Sequence, residues 1–373
     1  MRTTSGQRTD EPLDWRTVIP TIAAVFVASR VLLIVVASLV EAYVPLTDPT
    51  KAWSSAPILT SLTTSDAVYY LGIAANGYHV LPVSGPYHDY VFFPLYPLLV
   101  RLASVLTLGD IAVAGVLVAN GAFLVALVLL YRLMTRYLDH DTAILAIVFL
   151  VTAPGSVAFA MAYSEGLFLL LVIAAFLAAE GRRYPLMGLV YGLAALTRLP
   201  GLFLAIPLVL QLVADGGRRP TRHWLWLLAG PLALACFYAY LGVLTGDPLA
   251  NLHGQAAWDA PAMAPATGGS IETRSDPLFL ILAAVLIVYA FLFVYARPDR
   301  TPIPHAAWAV TVFASVFVGG RILSAPRYLV VAWPFAGWLA GRRAGWFRAA
   351  WPIVWLGLFG LFAFLNFTTT LAP

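Results

Sequence analysis

The chain has 373 residues, of which 61% are hydrophobic and 11% charged, and its formal net charge is +4. Soluble domains are about 45–50% apolar and about 25% charged, so the composition excludes a soluble protein and leaves an all-α polytopic membrane protein. The basic balance does not point to nucleic acid, because the arginines fall in breaks between apolar runs, where they serve membrane orientation.

A polar stretch with Arg2, Arg8, Asp10, Glu11, Asp14 and Arg16 precedes the first apolar run, Val18 to Val40. That run is too long for a signal-peptide core and no convincing cleavage site follows it, so it reads as a retained span. Arg30 lies inside it and should be paired or line a cavity.

Residues 41–108 then form a long polar interruption, read as a first outer loop with short interfacial helices. Thr64 or Ser65 can cap a helix of about ten residues that ends at Gly77. Asp66 falls in its first turn, where the helix dipole favours a carboxylate, and shares a face with Tyr69, Tyr70 and Ile73. Asp66 reads either as a general base or as a helix-capping acid on a wet loop. A second amphipathic helix is expected from Pro94 to Leu106. Tyr69, Tyr70, Tyr78, Tyr87, Tyr90 and Tyr96 can stack on sugar rings or form an aromatic belt. His79, His88 and Asp89 match no standard metal-ligand spacing, so no metal is expected.

Spans follow near 110–134, 142–160, 164–180, 185–198, 200–213, 223–244, 277–296, 303–320, 328–341 and 347–368, about 11 in all with the first. Pro200 and Gly201 divide an over-long run, giving two half-depth helices. Residues 245–276, rich in Gly, Pro and Ala, read as a second, mobile outer loop, either a lid or acceptor-binding loop or plain flexibility. Pro207, Pro231, Pro334 and Pro352 are expected to kink spans and open a groove for a lipid tail. Cys236 is the only cysteine and sits in an apolar run, so no internal disulfide is possible. The whole chain reads as one transmembrane domain with no separate soluble part.

With the N-terminus in the cytoplasm, the cytoplasmic segments hold Arg2, Arg8, Arg16, Arg132, Arg136, Arg182, Arg183, Arg218, Arg219, Arg222, Arg297, Arg300, Arg342, Arg343 and Arg348, which is 15 of the 22 basic residues. The opposite face keeps Lys51, Arg101, Arg198, Arg274, Arg321 and Arg327, together with Asp66, Asp89, Glu165, Asp247, Asp259, His79, His88 and His253. Orientation explains the first set and not the second, so chemistry is expected on the outer face. Arg198, Arg327 and Arg321 suit a phosphate, with snorkelling to headgroups as the plain alternative. Glu165 is expected to pair with Arg198 or Arg327, or merely to cap its helix. The preference for arginine over lysine suggests a GC-rich bacterial source.

Three stretches, in order, resemble the GPI mannosyltransferase II family and its bacterial relatives among the GT-C glycosyltransferases. The first is Asp66 to Tyr78 with Phe92-Phe93-Pro94-Leu95-Tyr96-Pro97. The second is Ala162-Tyr163-Ser164-Glu165-Gly166 with Thr197-Arg198-Leu199-Pro200-Gly201. The third is Ala325-Pro326-Arg327-Tyr328. The resemblance implies an integral-membrane enzyme of the GT-C fold. It would transfer a sugar, typically mannose, from a polyprenyl-phosphate donor to a glycolipid or glycan acceptor on the non-cytoplasmic face, inverting the anomeric centre and needing no cofactor. It places the catalytic carboxylate at Asp66. Asp89, the second acid of the segment, reads either as orienting the acceptor or as the base itself. Arg198, Arg327, Glu165, Tyr69, Tyr70, His88 and Arg321 are the candidate substrate-binding residues. Ser65 stands where the family usually has Trp, which opens altered acceptor choice or an inactive assembly partner. A transporter or lipid flippase is the rival from another class. It would place charges at the midplane, whereas here they gather at one face.

Overall fold

A computed structural model describes residues 14–44, 52–82, 87–216, 221–255, 301–318, 325–341 and 345–368. Among these residues the architecture is helical, with a single isolated bridge between Ala52 and Thr64. Helix α1 (Trp15–Tyr43) is capped by the Asp14 carboxylate, which accepts from the Arg16 amide. Short α2 (Leu59–Leu62) and α3 (Asp66–Asn76) follow, then α4 (Leu95–Ala103), continued by a 3-10 turn, Ser104–Thr107. Helices α5 (Ile111–Met134) and α6 (His140–Val151) are capped by Asp110 and Asp139, each accepting from a backbone N–H of the first turn. Next come α7 (Glu165–Glu180), α8 (Tyr184–Ala195), α9 (Pro200–Phe203), α10 (Ala205–Gly216) and α11 (Ala229–Thr245). The last described elements are α12 (Ile303–Val318), α13 (Ala325–Leu329), α14 (Pro334–Ala340) and α15 (Gly345–Phe367).

Among the described residues, four stretches are long and apolar enough to cross a membrane: Trp15–Tyr43, Ile111–Met134, Arg222–Thr245 and Ala350–Phe367. Their outward faces keep apolar side chains exposed, among them Val27 and Val31 on α1, Leu232 and Val243 on α11, and Ile353 on α15. Such faces suit lipid, where large apolar patches carry no penalty. The other expected spans within the described residues are shorter. The region 142–160 is a 12-residue helix followed by a 3-10 turn, Pro154–Phe159. The region 328–341 holds α14, seven residues long, with Pro334 at its start rather than kinking its middle. Helices α8 and α10, 12 residues each, flank the turn that carries Arg198. The expected span 277–296 and most of the second outer loop lie outside the described residues.

Helix α7 is the central post. It is buried along most of its length and packs against α5, α8 and α10. Its 16 residues are about 24 Å long, so its two ends lie at opposite faces of the bundle. Helices α3 and α4 pack on α5 at the end where α7 begins. Tyr70 meets Tyr96 edge to face at 5.2 Å, and Tyr96 donates to the Gly115 carbonyl at 2.9 Å. Glu41, at the end of α1, accepts from the Ile58 amide and from both the amide and the hydroxyl of Ser61. This ties α2 to α1 and fixes the chain just before Asp66.

Candidate active site

Helix α3 begins at Asp66 and ends at Gly77, whose N–H bonds the Ile73 carbonyl with φ +83°. The expected boundaries are met, but the expected cap is not. The Ser65 side chain makes no capping bond, and its backbone sits at φ +59°, a region that costs a non-glycine residue. The turn therefore aims Asp66 inward. Of the face expected from the spacing, Asp66, Tyr70 and Ile73 are buried and Tyr69 is half-buried. It is not a capping acid on a wet loop.

Asp66 Oδ2 lies 2.6 Å from Arg327 Nη1. Arg327 Nε also bonds Glu165 Oε1, and Arg198 Nη1 reaches the same oxygen at 2.7 Å. Glu165, the first residue of α7, thus pairs with both arginines, where the sequence offered one or the other. Arg198 Nη1 also donates to Ser164 Oγ at 3.1 Å, and that oxygen is 2.8 Å from the Tyr70 hydroxyl. The guanidinium of Arg327 lies 4.2 Å from the Tyr163 ring centroid, and that of Arg198 lies 5.1 Å from Tyr328. Two acids and two arginines from four separate stretches make one buried cluster of zero net charge.

Burial of such pairs is costly unless geometry and hydrogen bonds compensate, and removal of one partner typically costs about 3–5 kcal/mol. The cluster has unused capacity. Glu165 Oε2 is buried and has no hydrogen-bond partner among the described residues, leaving one carboxylate acceptor for a hydroxyl or a water. Each arginine carries five N–H donors, and the bonds above leave the Nη2 groups for an anion.

The segment bearing Arg327 is seated by a close approach. A Cβ on Gly155 would fall 1.9 Å from the Pro326 carbonyl oxygen, so only glycine lets the Pro154–Phe159 turn lie against Pro326. No sequence signal marks this glycine as part of the site.

Asp89 is also buried, but apart from the ion-pair cluster. Its carboxylate accepts from the His79 amide and lies 2.8 Å from His79 Nδ1. Burial raises the Asp89 pKa above the ordinary carboxylate value, and the His79 contacts oppose that rise. Tyr69 stacks on Phe92 at 5.1 Å and feels the charge of both acids. Burial first, then the Asp66 charge and more weakly Tyr87 and Asp89, push its phenol up to about 12. Tyr69 therefore stays neutral near pH 7. His88 stacks on Tyr90 at 4.4 Å rather than joining the cluster. Asn251 donates to the Tyr90 carbonyl at 2.8 Å, fastening the segment after α11 to the one before α4. Arg321 lies outside the described residues. Among the described residues no three His, Cys, Asp or Glu side chains stand close enough to hold a metal ion.

Residues 34–213 match the model of the family described as Mannosyltransferase (PIG-V), the family that the ordered motifs resemble. The match takes in Asp66, Asp89, Glu165 and Arg198 and ends before Arg327. No curated protein matches. Two solved structures are similar in outline, both of the oligosaccharyltransferase from Archaeoglobus fulgidus. One, tethered to an acceptor peptide, is 14% identical with a TM-score of 0.48 and aligns with 94% of this chain and 55% of its own. The other, described as AglB in complex with an inhibitory peptide and a dolichol-phosphate, is 13% identical with a TM-score of 0.45, over 94% and 56%. The chain thus spans little more than half the length of these proteins.

Proposed function

We propose, from the premise that residues 34–213 are those of a mannosyltransferase of the PIG-V family, that the chain is an integral-membrane glycosyltransferase. It moves a sugar, most simply mannose, from a polyprenyl-phosphate donor to a hydroxyl of a glycolipid or glycan. The chemistry takes place on the non-cytoplasmic face of a bacterial membrane. The observation that carries this reading is the buried cluster in which Arg327 bridges Asp66 and Glu165 while Arg198 holds Glu165.

Each group then has a task. The acceptor oxygen attacks the anomeric carbon as the bond to the phosphate oxygen breaks, with inversion. The acceptor proton passes to Asp66, and polyprenyl phosphate leaves with the bonding pair. A positioned base of this kind contributes about 10²–10⁴-fold. Arg198 and Arg327 offer their remaining N–H donors to the phosphate, whose negative charge grows as the bond breaks. Glu165 keeps both guanidinium groups oriented, and its free oxygen can accept a sugar hydroxyl. Tyr69, beside Asp66 and stacked on Phe92, offers an apolar face for a sugar ring. Asp89 with His79 orients the acceptor.

The test is transfer from labelled polyprenyl-phosphate sugars to a membrane lipid extract, with identification of the product. Asp66→Asn should insert and fold yet give no product. Transfer retained by Asp66→Asn would move the base elsewhere, and Asp89→Asn would be assayed next. Absence of transfer with every donor would remove the glycosyltransferase reading. The orientation has its own check, made in a Cys236→Ser background with a cysteine replacing exposed Leu81. It should react with an impermeant thiol reagent from outside only.

A further inference from the structure

Arg30 is the one mid-span charge that the proposed reaction does not use, and it precedes the family match. Among the described residues no carboxylate pairs with it. Its Nε donates to Asn120 Oδ1 at 2.6 Å, its Nη1 to Ser29 Oγ at 3.1 Å, and its Nη2 to the Phe159 carbonyl at 3.4 Å. Asn120 continues the chain, donating from Nδ2 to the next carbonyl, Ala160, at 2.9 Å and to Val116 at 2.8 Å. The guanidinium lies 4.5 Å from the Phe26 ring and 5.1 Å from the Phe123 ring, and Phe123 stacks on Phe159 at 4.1 Å. Arg30 and Asn120 thus grip two consecutive buried carbonyls from α1 and α5.

The gripped segment carries the site. Five residues beyond Ala160 comes Glu165, and between them lie Tyr163, under Arg327, and Ser164, bonded to Arg198. Upstream, Gly155 seats Pro326. The Ala162 amide also bonds the Leu62 carbonyl, just ahead of Asp66. A shift at residues 159 and 160 would therefore reach Glu165, both arginines and the strand leading to Asp66. Arg30 makes no contact with any of the four charged groups of the cluster among the described residues, so any influence it has must pass through this turn.

We infer that Arg30 and Asn120 are positioning residues that hold the Phe159–Glu165 turn in register with Arg198 and Arg327. The inference rests on the reading of the cluster as the active site. The purified full-length chain in nanodiscs is compared with Arg30→Lys, Arg30→Gln, Asn120→Ala and the double variant Arg30→Gln/Asn120→Ala. Two readouts are taken: steady-state kinetics with polyprenyl-phosphate mannose and amide exchange across residues 154–168. Since a misplacement of about 1 Å can cost about 10²-fold, kcat should fall by about that factor while the donor KM moves less than about threefold. Arg30→Lys keeps the charge but cannot span both acceptors, so it should behave as Arg30→Gln does. The double variant should be no worse than the poorer single one, because both act on one turn. Exchange should quicken at residues 159–165 and not along the middle of α5.

A raised KM with unchanged kcat would make Arg30 a donor-binding group and overturn the inference. So would multiplicative losses, full activity in Arg30→Lys, or exchange quickened evenly through the chain. If Arg30→Gln fails to fold, Asn120→Ala, which leaves the charge in place, decides by the same two readouts. If the wild type transfers no sugar, the proposed function falls, while the exchange pattern still tests the hold on the turn.

Discussion

Helix α7 carries an ion-pair cluster at each end, and the two differ in kind. At its start, Glu165 joins Asp66, Arg198 and Arg327 with aromatic rings against the guanidinium groups. At its finish, Glu180 joins Arg136 and lies 2.7 Å from His305 Nε2, with Tyr137, Phe176 and Trp333 around the imidazole. Arg136 is about a third exposed and lies in a break that the positive-inside pattern already explains. The far cluster fastens the ends of α5, α7 and α12. The near cluster sets two acids against two arginines and leaves Glu165 Oε2 without a hydrogen-bond partner among the described residues, and the far cluster likewise leaves His305 Nδ1 and the Tyr137 hydroxyl without one. Unused bonding capacity is common to both ends, so the difference lies in the charges: at the near end a second carboxylate, Asp66, stands against an arginine that also holds Glu165.

The comparison can be broken by exchanging one acid at a time. Glu165→Gln should have the largest effect. It leaves two buried arginines short of a partner, with about 3–5 kcal/mol lost from stability and activity down by at least about 10²-fold. Thermal unfolding in detergent and transfer rates would read both. If Glu165→Gln transfers sugar at the wild-type rate, the near cluster is structural and the contrast disappears. Arg327→Lys comes next. An ammonium cannot bond Asp66 and Glu165 through a planar fork, so transfer should fall by about 10²-fold while the protein stays folded. Tyr70→Phe removes only the hydroxyl shared with Ser164, at a cost of about 1 kcal/mol in stability, and should lower kcat less than Arg327→Lys does.

Asp89 gives a pH test. Its folded pKa is raised, so its contribution to stability is fully present below the unfolded carboxylate value, about 3.9, and is lost as pH rises through the folded value. Wild type should therefore lose ground against Asp89→Asn over that interval, measured as the difference in Tm against pH. A difference independent of pH would remove the burial argument. Glu180→Gln should be the smallest in activity: kcat within about twofold of wild type even where Tm falls. A large loss of kcat there would make the two ends of α7 alike.

Much of the near cluster was legible in the chain. Spacing put Asp66 on a short helix, and the orientation pattern isolated Glu165, Arg198 and Arg327 as charges without an orienting task. Their pairing was not legible. Asp66 and Arg327 stand 261 residues apart and Glu165 and Arg327 stand 162, and no local periodicity reaches across such intervals. Asn120 as the partner of Arg30 and the seat that Gly155 gives Pro326 escaped for the same reason, since both depend on how distant segments meet. His79 lies only ten residues from Asp89, but outside any helix, where spacing gives no rule for which side chains face each other. A Ser before an acid usually caps, whereas the backbone here turns at positive φ and the Ser65 side chain bonds Tyr163 instead of the helix end. Pro200 and Gly201 mark the break between two short helices in the sequence, and α8 and α10, 12 residues each, flank the Arg198 turn.

Helix α4 and its 3-10 extension hold Tyr96 and Val100 inward and leave Leu98, Leu102, Val105, Leu106 and Leu108 uncovered on the other side. In a bilayer, a row of greasy residues beside the proposed reaction centre would act as a float, setting how high the Asp66 carboxylate rides above the acyl chains, as a keel line sets the draught of a hull. Catalysis would then depend on bilayer thickness: lipids with longer chains should lift or sink Asp66 relative to the phosphate layer. The medium would become part of the enzyme's alignment.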